Sequence, residues 1–518
     1  MLDNPGKICR LLFVSLFIAI LLPTVVLAQV DENTEGTIVV SINANVPEEA
    51  YTALIDAYHQ IRPNVEIIWE HPGSVDYPTW LGTQLAAGDI RPDIVSGNYV
   101  PTFDGYVDLN TQRYLTNPHT NRMWDEDLDW DFFVSRNAVG ERIMLPTRGV
   151  HISWFYNKAM FEQAGVEPPT NWDEFVTVVE KLQETFPDIA PIAIDYNIGA
   201  ALWLGYAYFD QHHLDWIETV RARPGDWNYT PSVDDNFVFD PNITTIHNTY
   251  TLNLQRYYAG LQSGELRFDT PEMAEIVRQM SRIFPQYAVP DFYTTNLNDI
   301  YNRFISQQAA IMLNGSWSRY SLLRDFTAMS PERLEALGLT DTELEPFEWG
   351  TFENPPMENP MVISPVRTSE SATGEYISVI EKDQQQTDLT LDFVKFWLSY
   401  AGYTPYLEAM AQSPTATFSG PLRVQDVRDV PEVEALWEDI QWMGSSSASY
   451  NYEFLSWGGG DVRTRAFEIW REGLEGITSP EETAANLQKL IDDNFETILQ
   501  NLGLTQDDLD NPARQPGS

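Results

Sequence analysis

Short β-branched runs alternate with amphipathic helices along the chain, and that alternation limits the fold more than any other feature. Thr37–Asn43 (TIVVSIN) reads as a buried strand. Tyr51, Leu54, Ile55 and Tyr58 follow at i, i+3, i+4 and i+7, one apolar helix face, and Arg62-Pro63-Asn64 stops it. Val65–Trp69 is the next strand, Tyr77–Ala87 a helix ended by Gly88, and Pro92–Val95 a short strand running into Gly97-Asn98. The pattern resumes with a strand at Gly149–Tyr156, a short helix at Ala159–Ala164 capped by Gly165, and a helix opened by Asn171 with Glu174 three residues on. Ile189–Ile194 and Ala309–Leu313 are further strands. The reading is an α/β fold with mostly parallel sheets flanked by helices. At 518 residues the chain has outgrown a single core.

Elsewhere the pattern is less regular. Residues 196–300 read as mostly helical, with a Pro-, Asp- and Asn-rich insertion at Arg223–Asn242. Residues 345–361 read as a proline-rich loop and Thr387–Ala411 as a helical stretch. Ser479-Pro480-Glu481-Glu482 is a capping box for a helix through Leu487, Leu490, Ile491 and Ile498. Residues 506–518 are expected to form a disordered tail.

Residues 1–28 read as a secretory leader. Lys7 and Arg10 precede an apolar run from Leu11 to Leu27, and Val26-Leu27-Ala28 places cleavage after Ala28. The alternative is an uncleaved anchor, which Pro23 and the length of the run oppose. The single cysteine, Cys9, leaves with the leader and is not placed for lipidation, so the exported chain has no disulfide. The formal charge of −45 becomes −46 on losing Lys7, Arg10 and Asp3. Such a surface repels nucleic acid and anionic membranes.

Catalytic motifs are absent. There is no G-x-G-x-x-G, phosphate-binding loop, G-x-S-x-G or H-E-x-x-H, and the triple glycine Gly458–Gly460 matches none of them. His212-His213 are adjacent and do not share a helix face. Asp125, Asp127, Asp129 and Asp131 alternate, but a calcium loop starting at Asp125 needs Gly where Trp130 stands and Glu where Arg136 stands. No metal and no cofactor are expected. A glycosidase needs only two carboxylates at the right separation, and 76 acidic residues leave that alternative open.

Five stretches, in order, carry a resemblance. The first is Leu85-Ala86-Ala87-Gly88-Asp89 with Pro92-Asp93-Ile94-Val95. The second is Tyr156-Asn157-Lys158, Phe161, Ala164-Gly165, Pro168-Pro169 and Trp172-Asp173-Glu174-Phe175. The others are Phe304 to Trp317, Phe393 to Pro414, and Gly476 to Ala484. Together they resemble the extracellular solute-binding proteins, family 1, the sugar-capturing components of ABC importers. The resemblance departs in having Gln307 or Gln308 in place of a glycine, one extra residue in the last motif, and a longer section from 196 to 300.

The resemblance implies a two-lobe fold of the periplasmic-binding-protein type II, with a ligand cleft between lobes. The expected division is 29–146 plus 360–428 for the first lobe and 147–359 plus 429–505 for the second. It implies hinge closure without catalysis, docking on the transmembrane subunits of an ABC permease, and a monomer. Ligands of open α/β sheets lie beyond the carboxyl ends of strands, which points to Asn43, Asn45, Asn98, Tyr99, Asn314 and Trp317. A sugar suits these types, since rings stack on its C–H faces and amides bond its hydroxyls. Trp203, Tyr452 and Trp457 are further candidates from expected loops, each with core packing as the alternative reading. Arg148 is either a hinge residue or a ligand contact. The alternatives to a transport receptor are a secreted carbohydrate-active hydrolase and a sensory solute-binding protein.

Overall fold

The computed structural model describes residues 30–516 except 44–45, 71–75, 89, 101–102, 131–141, 328–333, 336–344, 365–370, 374–375 and 444–448. The segment read as a leader, the cleavage site expected for it, and Asn45 lie outside the described residues. Two five-stranded sheets are built, in chain order, from β1 (Gly36–Ser41), β2 (Val65–Trp69), β3 (Ile94–Val95), β4 (Leu145–Pro146), β5 (Gly149–Asn157), β6 (Ala190–Ala193), β7 (Ala309–Gly315), β8 (Trp349–Phe352), β9 (Ser371–Thr373) and β10 (Tyr376–Val379). The first sheet has the order β2-β1-β3-β10-β4. In the second, β8-β5-β7-β6 is the main path and β9 also pairs with β5.

Local sequence sets most of these elements. Asn157 ends β5 and caps the next helix through Met160 N (3.2 Å), and Gly165 closes that helix at φ 65°, where a β-carbon is disfavoured. Asn171 caps the Trp172–Thr185 helix through Glu174 N (2.9 Å). That helix buries Trp172, Phe175, Val178, Val179 and Leu182, each contributing about 1.5–3 kcal/mol. The first core gathers Ile38, Leu54, Tyr58, Phe393 and Trp397, and the second Trp154, Phe175, Phe209, Trp216 and Trp470.

The sheets are mixed rather than mostly parallel. β1 pairs parallel with β2 and β3, but β10 lies antiparallel between β3 and β4. In the second sheet β5 is antiparallel to β7, β8 and β9, and only β6 and β7 are parallel. The reason is the crossings. β4 leads through Thr147 and Arg148 into β5, while β9 leads back into β10, so the two crossing segments run antiparallel, with Thr373 opposite Gly149 and Tyr376 opposite Pro146. A further segment lies along them, with Gly149 N bonded to Pro421 O (2.8 Å) and Arg423 N to Thr147 O (2.8 Å).

Four further expectations need correction. Met357, Val362 and Ile363 pack on the second core, so the return to the first sheet comes at Tyr376 and not at 360. Val433 and Trp437 belong to the first core, which therefore runs past 428. Within 345–361, Trp349–Phe352 is a strand, because Trp154–Asn157 supplies its partner. The tail is ordered as well: Gln506–Asp510 is a helix with a capping box at Thr505, and the buried Gln255 amide donates to Asp508 O (2.8 Å) and Arg514 O (2.9 Å).

Candidate ligand-binding site

The topology decides which strand ends meet. β4 is antiparallel to β10, which is antiparallel to β3, so β1, β3 and β4 all run toward the crossing. β5 starts at the crossing, and β7 runs antiparallel to it with β6 parallel to β7. The carboxyl ends of β1 and β3 therefore point at the same seam as those of β6 and β7. That seam is where an α/β sheet places a ligand.

On the first-lobe side, Tyr77 ties the strand ends together. Its hydroxyl donates to Ser41 O (2.6 Å) and accepts from Ser96 N (3.0 Å), and burial pushes its pKa up to about 12. Ser96 Oγ accepts from Asn43 N (2.8 Å), and the Asn43 carboxamide donates to the Tyr99 hydroxyl. The Tyr99 ring stands edge-on to Tyr77 at 5.5 Å and is 40% exposed. Asn98 Oδ1 is buried and accepts no hydrogen bond, an acceptor left open beside that ring.

On the second-lobe side, Trp317 follows β7 and is half-buried. Its ring lies over Gly315, where a β-carbon would stand 2.1 Å from the indole, so the backbone must be bare there. Trp203 reaches it at 6.4 Å between ring centres. Trp203 belongs to the π-helical turn Tyr196–Leu204 that opens after β6, with Asp195 capping Ile198 N (2.6 Å) and Gly199 N (3.1 Å). Burial raises the Asp195 carboxyl above its usual range despite those bonds.

This turn runs along the strand ends. One end meets Trp317 and the other opens on a cavity of about 380 Å³ lined by Tyr196, Asn197 and Tyr293 and, from the Gly460–Leu474 helix, Arg463, Thr464, Phe467, Glu468 and Arg471. The volume is in the range of small-molecule sites. Tyr452 stacks on Tyr206 at 4.8 Å.

The structure therefore brings Asn43, Asn98 and Tyr99 together at the strand ends of the first sheet, and places Trp317 half-buried after β7 of the second, while Trp203 beside it is buried in the second core. Asn314 lies beside Trp317 in the chain but is buried, with its carbonyl oxygen taken by Gly315 N (2.9 Å), so it shapes the turn. Trp457 is a correction: it is 0% exposed, packed on Phe268 at 4.9 Å, and belongs to the core. Arg148 is also resolved. It is buried in the crossing, paired with Asp429 (3.0 and 2.5 Å) and bonded to Gly420 O (2.7 Å), so its guanidinium is engaged within the crossing itself.

The sequence reading missed the cavity wall. Tyr196 and Asn197 stand just past an expected strand, where the strand-end rule already pointed. Arg463, Phe467 and Arg471 recur at i, i+4 and i+8, one stripe of the Gly460–Leu474 helix.

Catalytic arrangements are poorly served. Among the described residues no group of His, Cys, Asp and Glu is spaced to hold a metal. Ser449, His247 and Asp210 form a chain of contacts (3.0 and 2.9 Å), but all three are sealed in the core. The cavity lining offers one carboxylate, Glu468, engaged by Arg465 at 2.8 Å, where glycoside hydrolysis needs two.

Two cores joined by a crossing ribbon, with aromatic rings and amides on converging strand ends, define a receptor that binds a solute without transforming it. The chain belongs to the bacterial extracellular solute-binding protein family, whose model matches residues 44–403.

Solved structures share the fold. The cyclic alpha-maltosyl-1,6-maltose binding protein of Arthrobacter globiformis aligns with 90% of this chain and all of its own, at TM-score 0.54 and 16% identity. The GacH receptor of Streptomyces glaucescens, studied with acarbose, aligns over 90% and 99% at TM-score 0.52 and 17% identity. An ABC transporter binding protein of Bifidobacterium animalis subsp. lactis, in complex with mannotriose, aligns over 91% and 97% at TM-score 0.51 and 13% identity. By sequence, an uncharacterized ABC transporter extracellular-binding protein of Pyrococcus horikoshii is 23% identical over 154 residues, 29% of this chain and 35% of that protein. The match thus spans about a third of that curated relative.

Proposed function

We propose that this protein is the extracytoplasmic receptor of an ABC importer, closing its two lobes over a saccharide and delivering it to the transmembrane permease subunits. The observation that supports the reading is that strand ends of both sheets run toward one crossing, with Trp317 after β7 and the exposed Tyr99 beside Asn98 after β3. Rings facing amides across a gap suit a ligand with apolar C–H faces and a rim of hydroxyls. The names of the structural relatives, several of which carry oligosaccharides, support the same reading. Lobe rotation about the crossing ribbon is the hinge motion, a type for which periplasmic binding proteins are the standing example. The receptor works as a monomer, and residues 1–28 export it. No helix among the described residues is long and apolar enough to cross a membrane.

The test is a thermal-shift and calorimetric screen of mono- and oligosaccharides, paired with solution scattering. A cleft ligand raises the melting temperature by mass action and shrinks the radius of gyration. Trp317→Ala is expected to weaken binding about tenfold or more, the loss of one stacking ring. Saturable binding of another solute class with no saccharide response would refute the reading, as would turnover of a bound oligosaccharide.

A further inference from the structure

The wall of the 380 Å³ cavity reverses the charge balance of the molecule. The chain carries 76 acidic and 31 basic side chains, yet Arg463 and Arg471 face this cavity against a single carboxylate, Glu468. The other charges nearby are already spent. Arg471 pairs with Glu475 (3.0 Å) while lying over the Tyr293 ring (4.0 Å). Glu468 is held by Arg465 (2.8 Å), which also reaches Glu472 (3.1 Å). Arg463 differs. Its guanidinium rests against the Phe467 ring at 5.3 Å and, among the described residues, has no carboxylate within ion-pair distance. Arg463 is exposed at this wall, beside Tyr196, Tyr293 and Phe467, so its guanidinium donors are open to an oxyanion arriving from solvent.

We infer that the saccharide taken by this receptor carries an anionic substituent, a carboxylate or a sulfate, which Arg463 binds. The inference rests on the saccharide-receptor reading and narrows it. A planar guanidinium matches either oxyanion with two parallel N–H donors, which an ammonium does not. A neutral sugar seated there would displace water from the guanidinium donors without offering them an ionic acceptor, which disfavours the neutral competitor. The acidic surface opposes such a ligand only at long range, because the screening length is about 8 Å at physiological salt.

The experiment is isothermal titration of the purified protein with three trisaccharide-sized probes: a uronic acid oligomer, a sulfated oligosaccharide, and a neutral oligosaccharide of matched linkage. At least one charged probe is expected to bind about tenfold tighter than the neutral one. Arg463→Gln is expected to erase that preference, and Arg463→Lys to keep part of it, with circular dichroism and melting confirming that both variants fold. Which charged probe binds distinguishes carboxylate from sulfate. Neutral binding as tight as charged binding, or a preference unchanged in Arg463→Gln, overturns the inference and leaves the receptor reading standing. Binding of no saccharide at all overturns the receptor reading beneath it.

Discussion

Replacing Arg148 separates a hinge brace from a ligand contact. Its side chain and that of Asp429 are each 1% exposed, so the pair is not screened by solvent. Asp429 accepts from both guanidinium nitrogens (3.0 and 2.5 Å) and from Trp437 Nε1 (3.2 Å), while Arg148 also donates to Gly420 O and lies over Phe418 at 5.0 Å. Removing one member strands the other's charge in the interior, which costs about 3–5 kcal/mol. Removing both, as in Arg148→Met with Asp429→Leu, returns most of that, because two desolvated ions are exchanged for apolar volume. Each single variant is therefore expected to lose about 3–5 kcal/mol in urea unfolding, and the double variant much less than the sum. The denaturation is best followed by two probes, since a two-lobed chain need not unfold in one step. If each single change costs under about 1 kcal/mol and the two add, the pair is solvated and the reasoning from burial fails.

Gly315→Ala puts a β-carbon within 2.1 Å of the Trp317 ring and forces the indole off its seat. The expected result is a fall in ligand affinity and a shift in tryptophan emission, with a stability loss of about 1–3 kcal/mol, checked by titration calorimetry and melting. Asp392 sets an acid limit for the first lobe. Burial would raise its pKa, but His119 (3.1 Å), Arg62 (3.2 Å) and Tyr58 (2.8 Å) outweigh that and hold it below the usual value. Its contribution is thus complete above about pH 4 and is lost as pH falls through the lower folded value, so Asp392→Asn is expected to flatten the acid limb of the stability–pH curve. Deleting residues 506–516 strips the buried Gln255 amide of its acceptors at Asp508, Asn511 and Arg514 and is expected to cost about 1–3 kcal/mol in urea unfolding. An unchanged midpoint would show the tail to be loose.

Strand positions were legible where branched residues run together, as in Ile38-Val39-Val40, because burial on both faces needs no alternation. Caps were legible too: Asn171 and Ser479 act through neighbours three residues away. What distant chain supplies was not. Arg148 finds Asp429 281 positions later, so the sequence left it divided between hinge and ligand. The Trp349–Phe352 strand hides in a proline-rich stretch and is made a strand by β5. Trp457 sits before three glycines and reads as loop, yet Phe268 and Phe454 close over it. Tyr196 and Asn197 needed only the strand-end rule, but the wall opposite them comes from Arg463 and Phe467, more than 260 positions away, and nothing local announces that meeting.

The converging strand ends follow from how the chain crosses between sheets. A strand that leaves one lobe by its carboxyl end must enter the other by its amino end, as β4 does on becoming β5. Every strand antiparallel to β5 then brings its own carboxyl end back to the crossing, and β7 with its parallel neighbour β6 does so. Two sets of loops are thereby aimed at one seam, and each can vary without disturbing the sheets beneath. This separates the two requirements on the molecule. The crossing ribbon holds a buried, costly ion pair between Arg148 and Asp429. The segments beyond the strand ends carry Tyr99, Asn98 and Trp317, the residues proposed to meet the ligand.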